Sequence, residues 1–157
     1  MNQDLDRIDG RLVAELQNNA RLSNKELAAR VGLAPSTTLE RVRRLQETGT
    51  ILGFHAEVDP KALGIGLEAL ISVRLHQHSR DLVAAFRASI LEQPEVIDAY
   101  HLAGAIDFLL HVAVRDVDHL RNLAMDKISS RAEVAHLETA IIFEHIRGGA
   151  LPNFRGT

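Results

Sequence analysis

Residues 23–48, SNKELAARVGLAPSTTLERVRRLQET, leave the backbone few choices. Ser23 followed three residues later by Glu26 is a capping box ahead of the apolar positions Leu27, Ala28 and Val31, so a short helix starts here. Gly32 stands where such a helix ends in a left-handed residue, and Leu33 follows as a buried turn residue. Pro35 falls in the first turn of a second helix, where its missing N–H leaves nothing unsatisfied. That helix is predicted over residues 35–48 and is stopped by Gly49. The stretch therefore reads as two helices joined by a tight turn.

Plotted at about 100° per residue, the second helix divides into two arcs. Thr38, Leu39, Val42 and Leu45 lie inward, while Ser36, Thr37, Glu40, Arg41, Arg43 and Arg44 lie on the opposite arc. Small hydroxyls at the N-terminal end with arginines behind them suit a helix laid in the major groove of double-stranded DNA. Its first residues would meet base edges and its arginines phosphate or guanine. The plainer reading is a solvated arginine face. The order of capping box, glycine turn, proline entry and polar-basic face favours DNA. The candidate contacts are Ser36, Thr37, Thr38, Arg41, Arg43 and Arg44, with Thr38 bordering the inward arc. Ser23 and Glu26 cap, and Leu27, Val31, Leu39, Val42 and Leu45 form the core.

Leu5, Ile8, Leu12 and Leu16 recur at helical spacing, predicting a supporting helix over residues 6–18. Asp6 suits its N-cap, and Asp9 adds negative charge at its positive end. Residues 51–58 read as a strand, a short wing or connecting arm. Charge limits this head. Residues 1–60 hold 8 Lys and Arg against 9 Asp and Glu, a net −1, within a chain of net charge −3. DNA affinity must then come from local clustering and from pairing of heads, because bulk attraction is absent.

After Asp59-Pro60-Lys61, a turn signal, the pattern changes. Apolar residues alternate at Leu67, Ala69, Ile71, Val73 and Leu75 and again at Ile106, Phe108, Leu110, Val112 and Val114. Residues 96–102 and 135–145 add two more strands, the last with Leu137, Thr139, Ile141 and Phe143 on one face. Helical spacing appears at Leu82, Val83, Phe86 and Ile90, and at Val117, Leu120, Leu123, Ala124 and Ile128. The order βαββαβ is the ferredoxin-like arrangement. Leu70 and Leu109 would fall on the sheet face without helices, which implies a second copy of the chain as its cover. The expected division is residues 1–60 for the DNA head, 61–147 for the sheet domain and 148–157 for a flexible tail.

Aromatic residues make up only 4% with no Trp, so both cores are aliphatic. The absence of Cys excludes disulfides and thiolate metal sites and fits a reducing cytoplasm. MNQDLDRIDG lacks the apolar region of a signal peptide, and the longest apolar runs fall short of a bilayer span. The 8 His invite a metal or catalytic reading, but His76, His78, His101, His111, His136 and His145 show no ligand spacing and are read as surface residues. No phosphate loop, dinucleotide fingerprint or nucleophile elbow is present. The turn over residues 101–107 is a further place for chemistry. Gly104 offers an unobstructed N–H to a carboxylate and Asp107 an acceptor for an ammonium group. On residue chemistry alone, a plain hairpin turn accounts for both.

The segments LDRIDGRLVAELQNNARLSNKELA and VGLAPSTTLERVRRLQETGTILGFHAEVDP resemble the Lrp/AsnC (feast/famine) transcription regulators, through ERVRRL, Gly49 and Ile51, Gly53-Phe54 and Asp59-Pro60. The resemblance implies an α+β chain with an N-terminal winged helix-turn-helix domain followed by a ferredoxin-like βαββαβ domain of the RAM type. It implies a cytoplasmic, prokaryotic, sequence-specific regulator with no enzymatic activity, no cofactor and no metal. Such a protein forms a homodimer assembling to an octamer-like oligomer, and its assembly is modulated by a small effector, an amino acid. In that family a Gly-x-x-Asp turn lines the effector pocket, which points to His101, Ala103, Gly104, Ile106 and Asp107, with Thr139 from the last strand. The chain departs at Ala34, where Ser commonly caps the recognition helix, and at Ala103, where Ser or Thr is common. Two alternatives remain beside this reading, a sirohaem-decarboxylase-like enzyme using His and Arg, and an effector-independent chromosome architectural protein.

Overall fold

A computed structural model describes residues 5–154 apart from His78 and Arg147, so the reading of His78 as a surface residue lies outside the described residues. The chain divides into two compact units, Val58–His145 and a second drawn from the residues before Val58 together with those from Ile146 onward.

In the first part of the chain, helix α1 (Arg7–Asn18) begins at Asp6, whose carboxylate accepts the Asp9 N–H at 2.8 Å. Helix α2 (Asn24–Val31) carries both halves of the capping box. The Glu26 N–H donates to Ser23 Oγ at 3.2 Å and the Ser23 N–H to Glu26 Oε2 at 2.8 Å. Gly32 turns the chain with φ 75°, and helix α3 (Pro35–Glu47) starts without a side-chain cap at Ala34. Leu12, Leu16, Leu27, Val31 and Leu45 are buried together, with Val42 and Ile51 packed against them. Downstream, Leu151 belongs to this same unit. Its N–H donates to Gln17 Oε1 at 2.8 Å.

Two expectations for this unit are corrected. Leu39 is not core and stands 52% exposed, while Thr38 is fully buried. The inward arc of α3 is centred between Thr38 and Leu45, and Leu39 lies about 100° further round. Residues 51–58 form no strand among the described residues. An isolated extended segment has no ladder partner for its backbone groups, and none is offered here. Leu52 is left almost fully exposed.

The second unit opens with a 3-10 turn (Pro60–Leu63) capped by Asp59. It continues as β1 (Leu67–Leu75), α4 (Arg80–Ile90), β2 (Val96–His101), β3 (Phe108–Val114), α5 (Val117–Asn122), a π-helical extension (Leu123–Ser129) and β4 (Val134–Ile141). The sheet order is β2-β3-β1-β4 and every pairing is antiparallel. β1 and β3 send Ala69, Ile71, Val73, Leu75, Phe108, Leu110, Val112 and Val114 to one face, where Phe86, Ile90, Leu120 and Ile128 complete the core. Among the described residues no helix is long and apolar enough to cross a membrane.

The second helical stretch is not one regular α-helix, and Val117, expected inward, is exposed beside the Asp116 cap. β4 ends at Ile141 rather than running to His145, leaving Phe143 fully exposed. Its one neighbour in the sheet is β1. Ile141 pairs with Ala69, the Ile142 N–H reaches Glu68 O, and β1 begins at Leu67, so the ladder runs out of partners.

The entry to β1 is tight. The Gly66 N–H donates to Val114 O at 3.1 Å, and a Cβ at Gly66 would collide with the Arg115 carbonyl oxygen, a backbone atom that cannot swing aside. Gly66→Ala is expected to lower unfolding stability by about 2 kcal/mol in urea titrations, as overpacking does. Gly149→Ala, with open space at its Cβ, serves as the neutral control.

Candidate nucleic-acid interface and effector turn

Helix α3 presents its residues unevenly. Ser36 and Thr37 are exposed at the N-terminal end, and Glu40 and Arg43 continue the outward strip. Arg43 has no ion-pair partner among the described residues. Thr38 is corrected as a candidate contact. It is fully buried, and its hydroxyl donates to the Ala34 carbonyl at 3.1 Å, so it holds the first turn of the helix.

Arg41 and Arg44 are engaged within the head. Arg41 Nη1 donates to Asp6 Oδ2 at 2.6 Å and to Asp9 Oδ1 at 2.8 Å, and its side chain is 26% exposed. Arg44 Nη2 donates to Asp9 Oδ2 at 2.6 Å. Asp9 is 3% exposed and uses one carboxylate oxygen on each arginine. Thr37, Glu40, Arg41 and Arg44 line a shallow recess on this flank. The Arg41 hydrogen bond, and then the Asp9 N–H, hold the Asp6 carboxyl below its ordinary range. The Arg41 guanidinium is correspondingly raised, first by Asp6 and then by Asp9.

In the sheet domain the turn after β2 is shaped by its own backbone bonds. Gly104 has φ 145°, a conformation L side chains rarely adopt, and open space where a Cβ would stand. Asp107 is buried. Its Oδ2 accepts the Leu75 N–H at 2.8 Å, its N–H donates to Val73 O at 2.9 Å, and its carbonyl accepts the Leu102 N–H at 2.8 Å. Asp107 thus ties the turn to β1 whatever else it does. His101 is exposed and stacks on Phe108 with centroids 4.8 Å apart. Ala103 is exposed and Ile106 half-buried. Thr139 is not brought to this turn within one chain. It lies on the edge strand β4 opposite Ile71, whereas the turn joins β2 and β3, which lie beyond β1.

The helix-free sheet face carries Leu70, Leu109 and Tyr100 together with His111, whose paired residue Asp98 and neighbour Glu68 flank it. The surface reading of His111 is corrected. It is only 9% exposed, with Nε2 at 2.7 Å from Glu68 Oε2 and Nδ1 at 3.8 Å from Asp98 Oδ2.

Residues 68–150 match the Lrp/AsnC ligand binding domain, and residues 5–46 match the AsnC-type helix-turn-helix domain. The chain belongs to the Lrp/AsnC family. Within it, the HTH-type transcriptional regulator AldR of Mycolicibacterium smegmatis is 47% identical over 94% of this chain and 86% of its own. The leucine-responsive regulatory protein of Escherichia coli is 33% identical over 92% and 88%. A transcriptional regulator of Neisseria meningitidis, solved in complex with L-Met, superposes with TM-score 0.86 at 31% identity, covering 94% of this chain and 96% of its own.

The chain is thus a transcriptional regulator of the Lrp/AsnC type. Its helix-turn-helix domain implies DNA binding and its ligand-binding domain an effector. Asp6 and Asp9 were read from sequence only as the cap and first-turn acid of α1. Their second task, holding Arg41 and Arg44 of α3, depends on packing some thirty-five residues away and leaves no local signal. Leu39, expected in the core, is instead an exposed apolar side chain on the outward side of α3.

A carboxyl depressed in the folded state adds stability that is present above its ordinary value, near 4, and is lost as pH falls through the depressed one. Asp6 is depressed, so the head of this Lrp/AsnC protein is expected to lose stability below about pH 4. Asn caps a helix as well as Asp does. Asp6→Asn should therefore flatten the fall of melting temperature over that acid range without removing the cap.

Proposed function

We propose that the chain reads specific double-stranded DNA through the outward strip of α3, in the cytoplasm, and that its assembly answers to a small effector of the amino-acid class. The observation that carries the reading is that strip itself. Ser36, Thr37 and Arg43 stand exposed on a helix held by a capped helix and a glycine turn. Ser36 and Thr37, at the N-terminal end, meet base edges. Arg43 meets the backbone or a guanine.

The sheet domain supplies pairing. Leu70, Leu109 and Tyr100 on its helix-free face favour a two-fold homodimer, which sets two heads to read two half-sites. Further association gives an octamer-like oligomer. The effector contacts the turn at His101, Ala103, Gly104, Ile106 and Asp107, with Gly104 taking the carboxylate on its N–H. Thr139, remote from the turn within one chain, reaches such a site from another copy. The Neisseria regulator's complex with L-Met supports the amino-acid class. By biasing assembly, the ligand changes how many heads are presented and at what spacing.

A thermal-shift screen of the twenty amino acids is the direct measurement. At a hundredfold excess over its dissociation constant a ligand of the folded state adds about 2.7 kcal/mol, which raises the melting temperature visibly. At least one amino acid is expected to do so, and Gly104→Val should abolish the shift. Footprints on DNA upstream of the protein's own coding sequence should change when that amino acid is added. Equal affinity for every sequence tested would refute the specific-reader reading.

A further inference from the structure

We propose that Asp9 is a positioning residue that divides the labour of the α3 arginines. By holding Arg41 and Arg44 against α1 it leaves Arg43 as the arginine of α3 that meets phosphate, and the head's sequence discrimination depends on that division. The inference rests on the DNA reading above and states how that same surface is tuned.

The geometry is specific. Asp9 is 3% exposed and spends one oxygen on Arg44 at 2.6 Å and the other on Arg41 at 2.8 Å. Asp6 adds a second acceptor for Arg41 at 2.6 Å. Two carboxylates against two guanidiniums make a neutral cluster on the flank of α3. For Arg41 or Arg44 to leave Asp9 for a phosphate, the buried carboxylate would be left charged and a partner short, which is costly. The hold is tighter on Arg41, 26% exposed with two carboxylates, than on Arg44, 47% exposed and bonded through Nη2 alone. Arg43, exposed and unpaired among the described residues, needs no such release.

Phosphate contacts carry no sequence information, and each one strengthens binding to every duplex alike. A head with three free arginines on its reading helix would hold any DNA. One that withholds two keeps the base-edge groups, Ser36 and Thr37, decisive. The low net charge of residues 1–60 then belongs to the mechanism, since two of the acids that cancel the arginines are the ones that hold them.

The test uses the full-length chain and two duplexes of equal length, one enriched by the protein from a random-sequence pool and one scrambled from it. Affinity is measured against salt concentration. Arg43→Gln is expected to make the logarithmic salt slope shallower by about 0.9 for each head engaged. Arg41→Gln and Arg44→Gln should lower the melting temperature and leave the slope unchanged. Asp9→Asn, which keeps the shape and removes the charge, frees Arg44 while Asp6 still holds Arg41. It should steepen the slope by about 0.9 per head and tighten the scrambled duplex more than the enriched one.

Equal loss of slope in Arg41→Gln and Arg43→Gln would overturn the division. So would an Asp9→Asn chain with native circular dichroism and unchanged slope and discrimination. If Asp9→Asn fails to fold, the contrast between Arg41→Gln and Arg43→Gln decides alone. A wild-type chain that enriches no sequence from the pool overturns the DNA reading itself, an outcome separate from any ranking of the arginines.

Discussion

Buried polar groups must be matched, and this rule shapes both units. The described residues bury four polar or charged side chains, Asp9, Thr38, Asp107 and His111, and none of their buried atoms lacks a partner. Asp9 meets two guanidiniums, Thr38 a backbone carbonyl, Asp107 a backbone N–H and His111 a carboxylate. An unmatched group in any of these places would be penalised by about 1–3 kcal/mol, and more if charged. Three of the matches therefore fix two elements to one another, α1 to α3, the β2–β3 turn to β1, and β1 to β3, while the fourth closes the first turn of α3.

The same rule narrows the candidate DNA contacts. Thr38 and Arg41 have the right chemistry for DNA and the right arc on a helical projection. Their polar atoms are nevertheless engaged within the head. The exposed strip that remains is narrower and outward, with Ser36, Thr37 and Arg43 at its centre and Leu39 and Glu40 beside it. In the turn after β2 Asp107 holds the shape that leaves Gly104 open. Asp107 is a candidate effector contact as well as this tie, so a substitution there perturbs both at once. Substitutions at Gly104 or Ala103 perturb the turn without removing a buried partner.

Much of the architecture was legible along the chain. The capping box, the Gly32 turn, Pro35 and the alternation along Leu67–Leu75 appear where the residues place them, because each depends on neighbours within a few positions. The βαββαβ order follows from counting such elements. The misreadings have two causes. The segment 51–58 and the end of β4 have strand-like side chains, but a strand exists only where another offers hydrogen bonds, and β1 has ended where residues 142–145 would need it. Val117 and Leu39 have the apolar character of core residues and the wrong azimuth.

By itself, then, the sequence determined the first three helices, the central strands and the two aliphatic cores, which rest on local periodicity and capping that short-range sterics and hydrogen bonding decide. Its motifs, by resemblance, pointed to the family. Only the tertiary structure decided which arginines of α3 are free. That depends on Asp6 and Asp9, more than thirty residues away in the chain and within 3 Å in space. A charge has no fixed function until its nearest opposite charge is known, and that distance is set by packing.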